Sequence, residues 1–161
     1  MNRSVKTAIQ IGGIIGVIFV CAAIMYFGLA DSLGKTYITG TKTKIIDWTS
    51  HYKNMLIIVM LISMFTSLLW YVLSRFVFKI TSCFGVGKRA IWLVICVVNV
   101  IGVLLATALC SNDTTLKVGF SLYIIHVILF SVVGYYLTSV LFTPAAYKYT
   151  PVGANLIKLK K

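Results

Sequence analysis

The chain has 161 residues, 60% of them apolar and 11% charged, with a mean hydropathy of +0.98. That balance excludes a soluble globular domain. Its formal net charge of +12 rests on 15 Lys and Arg against three acidic residues, all Asp. The basic residues are spread over segments too short for a nucleic-acid-binding fold, so no nucleic-acid partner is expected.

Four apolar stretches, Ala8–Ala30, Met55–Val77, Ala90–Cys110 and Val118–Phe142, fill most of the sequence. A helix needs about 20 apolar residues to cross about 30 Å of hydrocarbon. The expected fold is therefore all-α: a polytopic membrane protein, one membrane domain over 1–161, built as a four-transmembrane-helix bundle. The expected outer loops are 31–54 and 111–117, with a loop 78–89 and a tail 143–161 on the other side.

The first stretch follows Arg3 and Lys6 and resembles a secretory signal in placement. Its apolar core is longer than the usual 7–15 residues, and no small-x-small cleavage site leads into a soluble domain. It reads as a retained span. Within it, Gly12 and Gly16 form a G-x-x-x-G, a spacing that lets another backbone approach one helix face. That predicts helix packing, within the bundle or to a partner, and leaves the oligomeric state open.

The segment Asp31–Asn54 turns amphipathic at its end, from Ile45 to Tyr52. Trp48 and Tyr52 lie four residues apart, a spacing that shares a helix face at interfacial depth. The end of the segment therefore reads as a short interfacial helix leading into the second span, and the segment as a surface for a partner. Asp113, in the shorter outer loop, is a further candidate contact. The second span ends in Trp70-Tyr71 and then Arg75 and Lys79, an aromatic belt followed by a positive stop. Asn99 is the strongly polar residue of the third span, and an amide at that depth seeks a hydrogen bond to another helix. His126 stands in the fourth, preceded by Ser121. A lone intramembrane histidine is a functional candidate, but metal binding needs further ligands nearby, and the reading preferred for His126 is a neutral ring bonded to another helix. Ser63 and Ser67 complete the set of small polar residues in the spans.

Orientation follows from charge. One side of a four-span chain holds Arg3, Lys6, Arg75, Lys79, Lys88, Arg89, Lys148, Lys158, Lys160 and Lys161, with no acid. The other holds Lys35, Lys42, Lys44, Lys53 and Lys117 with Asp31, Asp47 and Asp113. Lys and Arg in excess mark the cytoplasmic side, so both termini are expected there. Basic residues beside spans also meet anionic membrane lipids, at about 1 kcal/mol each.

Catalytic inventories are thin. The spans carry neither Asp nor Glu, and the sequence has no zinc-protease motif, nucleophile elbow or phosphate-binding loop. Cys21, Cys83, Cys96 and Cys110 form no C-x-x-C pair, which argues against thiol oxidation. The expected protein is therefore not an enzyme, has no metal or cofactor, and works by contact.

The second half resembles a known family. Ser111-Asn112-Asp113-Thr114-Thr115-Leu116 opens a span that closes with Leu141-Phe142-Thr143-Pro144-Ala145-Ala146-Tyr147-Lys148 and a lysine-rich tail. With four spans and inside termini, this is similar to immunity proteins against A-type pore-forming colicins. The resemblance covers about 35 residues plus the overall layout. It implies a bacterial inner-membrane protein that neutralises an inserted toxin by helix-to-helix contact, with Gly12, Gly16, Ser63, Ser67, Asn99, Ser121 and His126 as candidate contacts. A phage superinfection-exclusion protein, or one that excludes plasmid DNA, fits the same layout. A second resemblance runs elsewhere: Leu73-Ser74-Arg75-Phe76-Val77-Phe78-Lys79 is similar to span endings of small flippases of polyprenyl-linked sugars, but the fourth span lacks the matching basic residue. A subunit of a larger membrane complex is the remaining alternative.

Overall fold

The computed structural model describes residues 3–30, 35, 45–77, 85–111 and 124–143. These residues are helical apart from Thr143, with no strand among them. Helix α1 covers Arg3–Ala23 and continues as a π-helical turn over Ile24–Leu29. Helix α2 covers Ile45–Val72 and ends in a π-helical turn, Leu73–Val77. Helix α3 is Gly85–Ser111, and α4 is Ile124–Phe142. Each contains a stretch long and apolar enough to cross a bilayer. The chain is a multi-pass helical membrane protein.

Early residues of one helix meet late residues of its sequence neighbour, whereas the early residues of α2 and α4 meet each other. Gln10 of α1 meets Tyr71 of α2, Tyr52 of α2 and Thr107 of α3 both meet His126 of α4, and Trp92 of α3 meets Ser139 of α4. Sequential helices therefore run antiparallel. Helices α2 and α4 meet across the centre, while α1 and α3 each pack against both of them from opposite corners. One end of the bundle carries Tyr52 and His126, the other Gln10, Trp70 and Trp92.

The core is a stripe on each helix. On α2 the buried positions are Tyr52, Met55, Leu56, Val59, Ser63, Thr66, Ser67, Trp70, Tyr71 and Ser74. Steps of three and four keep them on one face of a 3.6-residue helix. On α1 they are Ile14, Ile18, Cys21, Ala22 and Met25. Large apolar residues elsewhere face outward, such as Phe27 at 81% and Phe65 at 68% exposure, as a lipid-facing surface allows.

Helix α1 with its π-helical turn, α2 and α3 are longer than the apolar runs. Helix α2 begins at Ile45, ten residues before the expected Met55, so the proposed outer loop 31–54 is helical from residue 45. The short helix expected to lead into the second span is continuous with it. Helix α3 likewise takes in residues 85–89 of the expected loop 78–89. The expected start of the fourth span, Ser121 and Asp113 lie outside the described residues.

Helix α4 ends where proline requires it to. Thr143 has left helical geometry, at φ −67° and ψ 135°, and Pro144 follows it. A proline ring disfavours helical backbone in the residue before it. The Thr143 backbone N–H still bonds the Ser139 carbonyl at 3.1 Å, and its hydroxyl reaches the same carbonyl.

The glycines of α1 separate into two kinds. Gly12 and Gly16 are exposed, and a Cβ at either would meet nothing within 4 Å. The expected G-x-x-x-G face therefore turns away from the bundle. Gly13 faces inward, and a Cβ there would stand 2.7 Å from Cζ of Phe142. Gly13→Ala is expected to destabilise the protein by about 1–3 kcal/mol, the usual range for overpacking a core. Gly16→Ala should be neutral or slightly stabilising, since alanine is the better helix former. Unfolding of both variants in mild detergent measures the difference, and equal stabilities would show that the Phe142 ring gives way freely.

Candidate functional site

The polar side chains of the spans gather between α2, α3 and α4 in three layers. Apolar surroundings leave a polar group no water to bond, so each must find protein partners.

The middle layer centres on Asn99 of α3, which is fully buried. Its Oδ1 accepts from Ser63 Oγ at 3.1 Å and from Thr66 Oγ1 at 2.9 Å, both on α2. Its Nδ2 donates to Ser131 Oγ on α4 at 3.1 Å. One amide therefore joins three helices. Thr66 has a single hydroxyl proton, and the carbonyls of Ile62 and Ser63 compete for it at 3.0 and 3.1 Å.

The second layer centres on His126 of α4, also fully buried. Its Nε2 lies 3.3 Å from Tyr52 Oη of α2, and its Nδ1 lies 3.1 Å from Thr107 Oγ1 of α3. Proton counting orients the chain of bonds. Assigning the Thr107 proton to the Val103 carbonyl, 2.8 Å away, leaves the hydroxyl to accept from histidine. With that assignment Nδ1 carries the ring proton, and Nε2 accepts from the tyrosine hydroxyl. The Tyr52 ring also stacks on the imidazole, with centroids 5.9 Å apart.

The third layer lies at the opposite end. Trp92 Nε1 donates to Ser139 Oγ at 3.1 Å, and Tyr135 Oη donates back to the Trp92 carbonyl at 3.1 Å. Trp70 Nε1 donates to Thr143 Oγ1 at 2.9 Å. Helix α1 joins here through Gln10, whose Oε1 accepts from Tyr71 Oη at 3.0 Å and from Arg75. Between the layers, α4 is π-helical over Val127–Leu137. The hydroxyls of Ser67, at 3.5 Å, and Thr138 both reach the Gly134 carbonyl in this widened stretch.

The predicted contact residues are redistributed by this arrangement. Ser63, Ser67, Asn99 and His126 are turned inward, so none is available at the lipid-facing surface. Tyr52 corrects the loop reading: it lies inside the bundle, because helical spacing puts it on the stripe with Met55 and Val59. Trp48 falls on α2, and its side chain is not among those described. Gly12 and Gly16 remain outward. Sequence reasoning missed Thr66, Thr107 and Trp92 as partners. Thr107 stands eight residues, about two turns, after Asn99 and so shares its face, a signal within reach of the sequence.

Among the described residues, no three potential metal ligands gather. Cys21 and Cys96 are free thiols. The layers contain donors and acceptors already matched to one another, an arrangement that fixes helices in register.

No family model, no curated protein and no solved structure matches the chain.

Proposed function

We propose that this protein is a non-catalytic protective protein of a bacterial inner membrane, with both termini cytoplasmic, which binds and blocks an incoming membrane-active agent. A pore-forming colicin is the agent we favour. The observation that carries the reading is the inward commitment of the span polar groups. With Ser63, Asn99, Thr107 and His126 engaged in bonds between helices, the bundle offers its surroundings a rigid apolar helix surface. Such a surface suits contact with another membrane-inserted helix, where association depends on close packing. On α1 the outward Gly12 and Gly16 leave room for a partner backbone.

The resemblance of Ser111–Leu116 and Leu141–Lys148 to colicin immunity proteins supplies the class of agent. The test is survival. The chain is expressed alone in a sensitive enteric strain, which is challenged with a panel of pore-forming colicins and with phages. Protection against one colicin, with toxin still reaching the inner membrane, is the expected result. Gly12→Leu/Gly16→Leu should then reduce protection while the protein still accumulates in the membrane. Protection against phage or plasmid DNA alone would move the protein to the exclusion class. Sensitivity to every agent would overturn the proposal. A periplasm-active reporter placed after Lys161 should be silent, and activity there would reverse the orientation.

A further inference from the structure

A groove of about 230 Å³ opens to the outside between α1 and α2, toward the Tyr52 end of the bundle. Its walls are two facing stripes. Phe19, Ala22, Ala23 and Tyr26 come from α1, and Leu56, Ile57 and Met60 from α2. Ala22 and Ala23 leave a narrow floor, while Phe19, Phe27 and Ile57 stand out beside it at 62%, 81% and 47% exposure. Lys53 lies on the stripe of Leu56, Ile57 and Met60, one turn nearer the helix start. Its Nζ sits 4.3 Å above the Tyr26 ring centroid, at the end of the groove.

We infer that this groove binds one anionic phospholipid, with an acyl chain between α1 and α2 and the phosphate at Lys53. A void in a bilayer loses the dispersion contacts of its lining, and a flexible methylene chain restores them. The lining is apolar throughout, so it selects hydrocarbon. The cation stands one helical turn beyond that lining, about 5 Å along the axis, where a chain leaving the groove reaches its headgroup. Lys53 has a long apolar stem over an aromatic ring and a charged end, the disposition of a side chain that reaches an interface. The single positive charge favours a headgroup of net negative charge over a zwitterionic one.

The test uses the full chain in mild nonionic detergent, with bound lipid counted by native mass spectrometry. Phosphatidylglycerol and phosphatidylcholine of matched chains are compared. One phosphatidylglycerol is expected to be retained in preference to phosphatidylcholine. Lys53→Gln should weaken phosphatidylglycerol retention about fivefold, the equivalent of the ~1 kcal/mol a basic residue contributes at an anionic surface, whereas Lys53→Arg should keep it. Ala23→Phe should remove binding of both lipids by filling the floor. Equal retention of the two lipids by the unaltered protein would overturn the assignment even if a variant failed to fold. So would undiminished phosphatidylglycerol binding by Lys53→Gln, or a dimer abolished by Ala23→Phe, which would give the groove to a second copy.

Discussion

Asn99→Leu is expected to lower the stability of the bundle by about 2 kcal/mol, and Asn99→Asp by about 3 kcal/mol or more. The leucine keeps much of the volume but removes the amide that joins α2, α3 and α4. Its cost is bounded because the stranded hydroxyls have other recourse. Thr66 already lies within bonding distance of the Ile62 and Ser63 carbonyls, and a serine in a helix can turn to the carbonyl four residues back. Hydrogen bonds between helices in membranes average about 0.6 kcal/mol, with about 1.7 as a maximum, so three bonds partly replaced give the figure stated. The aspartate keeps an acceptor for Ser63 and Thr66, yet it places a carboxylate where charge costs about 2.5–3.5 kcal/mol. Reversible unfolding of each variant in mixed micelles checks the order. Stability of Asn99→Leu equal to that of the unaltered protein would mean that α3 is held by packing alone.

The count and approximate position of the helices were legible because a bilayer demands long apolar runs, and the sequence has four. Which face of each helix turns inward was not legible from hydropathy, since both the core and the lipid are apolar. The small and hydroxylated residues carry that information instead. Ser63, Thr66, Ser67 and Ser74 step by three, one and seven along α2 and mark its buried face, on which Tyr52 also falls. Reading Tyr52 by its spacing to Trp48 placed it on an interfacial face. Reading it by its spacing to Met55 and Val59 places it in the core. The glycines of α1 left packing within the bundle and packing to a partner both open, and the structure removes the first. Gly12 and Gly16 have the pattern of a packing motif, but the inward face is set by Ile14, Ile18 and Cys21, and Gly13 is the glycine that another side chain touches. The pairing of His126 with Tyr52 and Thr107 joins residues 74 and 19 positions apart, a relation that only the folded bundle supplies.

Thr107→Val is expected to destabilise the bundle more than Tyr52→Phe, by about 1 kcal/mol or more, and the double variant to be no less stable than the sum of the two predicts. The reason lies in the two tautomers of imidazole. In the unaltered protein, Nδ1–H donates to Thr107 and Nε2 accepts from Tyr52. Tyr52→Phe leaves that tautomer in place and removes one donor, a loss on the order of 0.6–1.7 kcal/mol. Thr107→Val removes the acceptor for Nδ1–H, but the proton can move to Nε2 and be donated to the tyrosine oxygen instead. Thr107→Val therefore strands one donor in either tautomer, the ring N–H or the tyrosine O–H that Nε2 no longer accepts, whereas Tyr52→Phe strands only an acceptor. An orphaned buried donor costs about 1–3 kcal/mol, and the double variant, with its one stranded N–H, adds no second one. Nitrogen NMR of the imidazole provides an independent reading. The unaltered protein should show a neutral ring protonated at Nδ1, and Thr107→Val a ring protonated at Nε2. Equal stabilities of the two single variants together with an unchanged tautomer in Thr107→Val would mean that packing of the imidazole between Tyr52 and Phe130, and not its hydrogen bonds, holds α4 against α2.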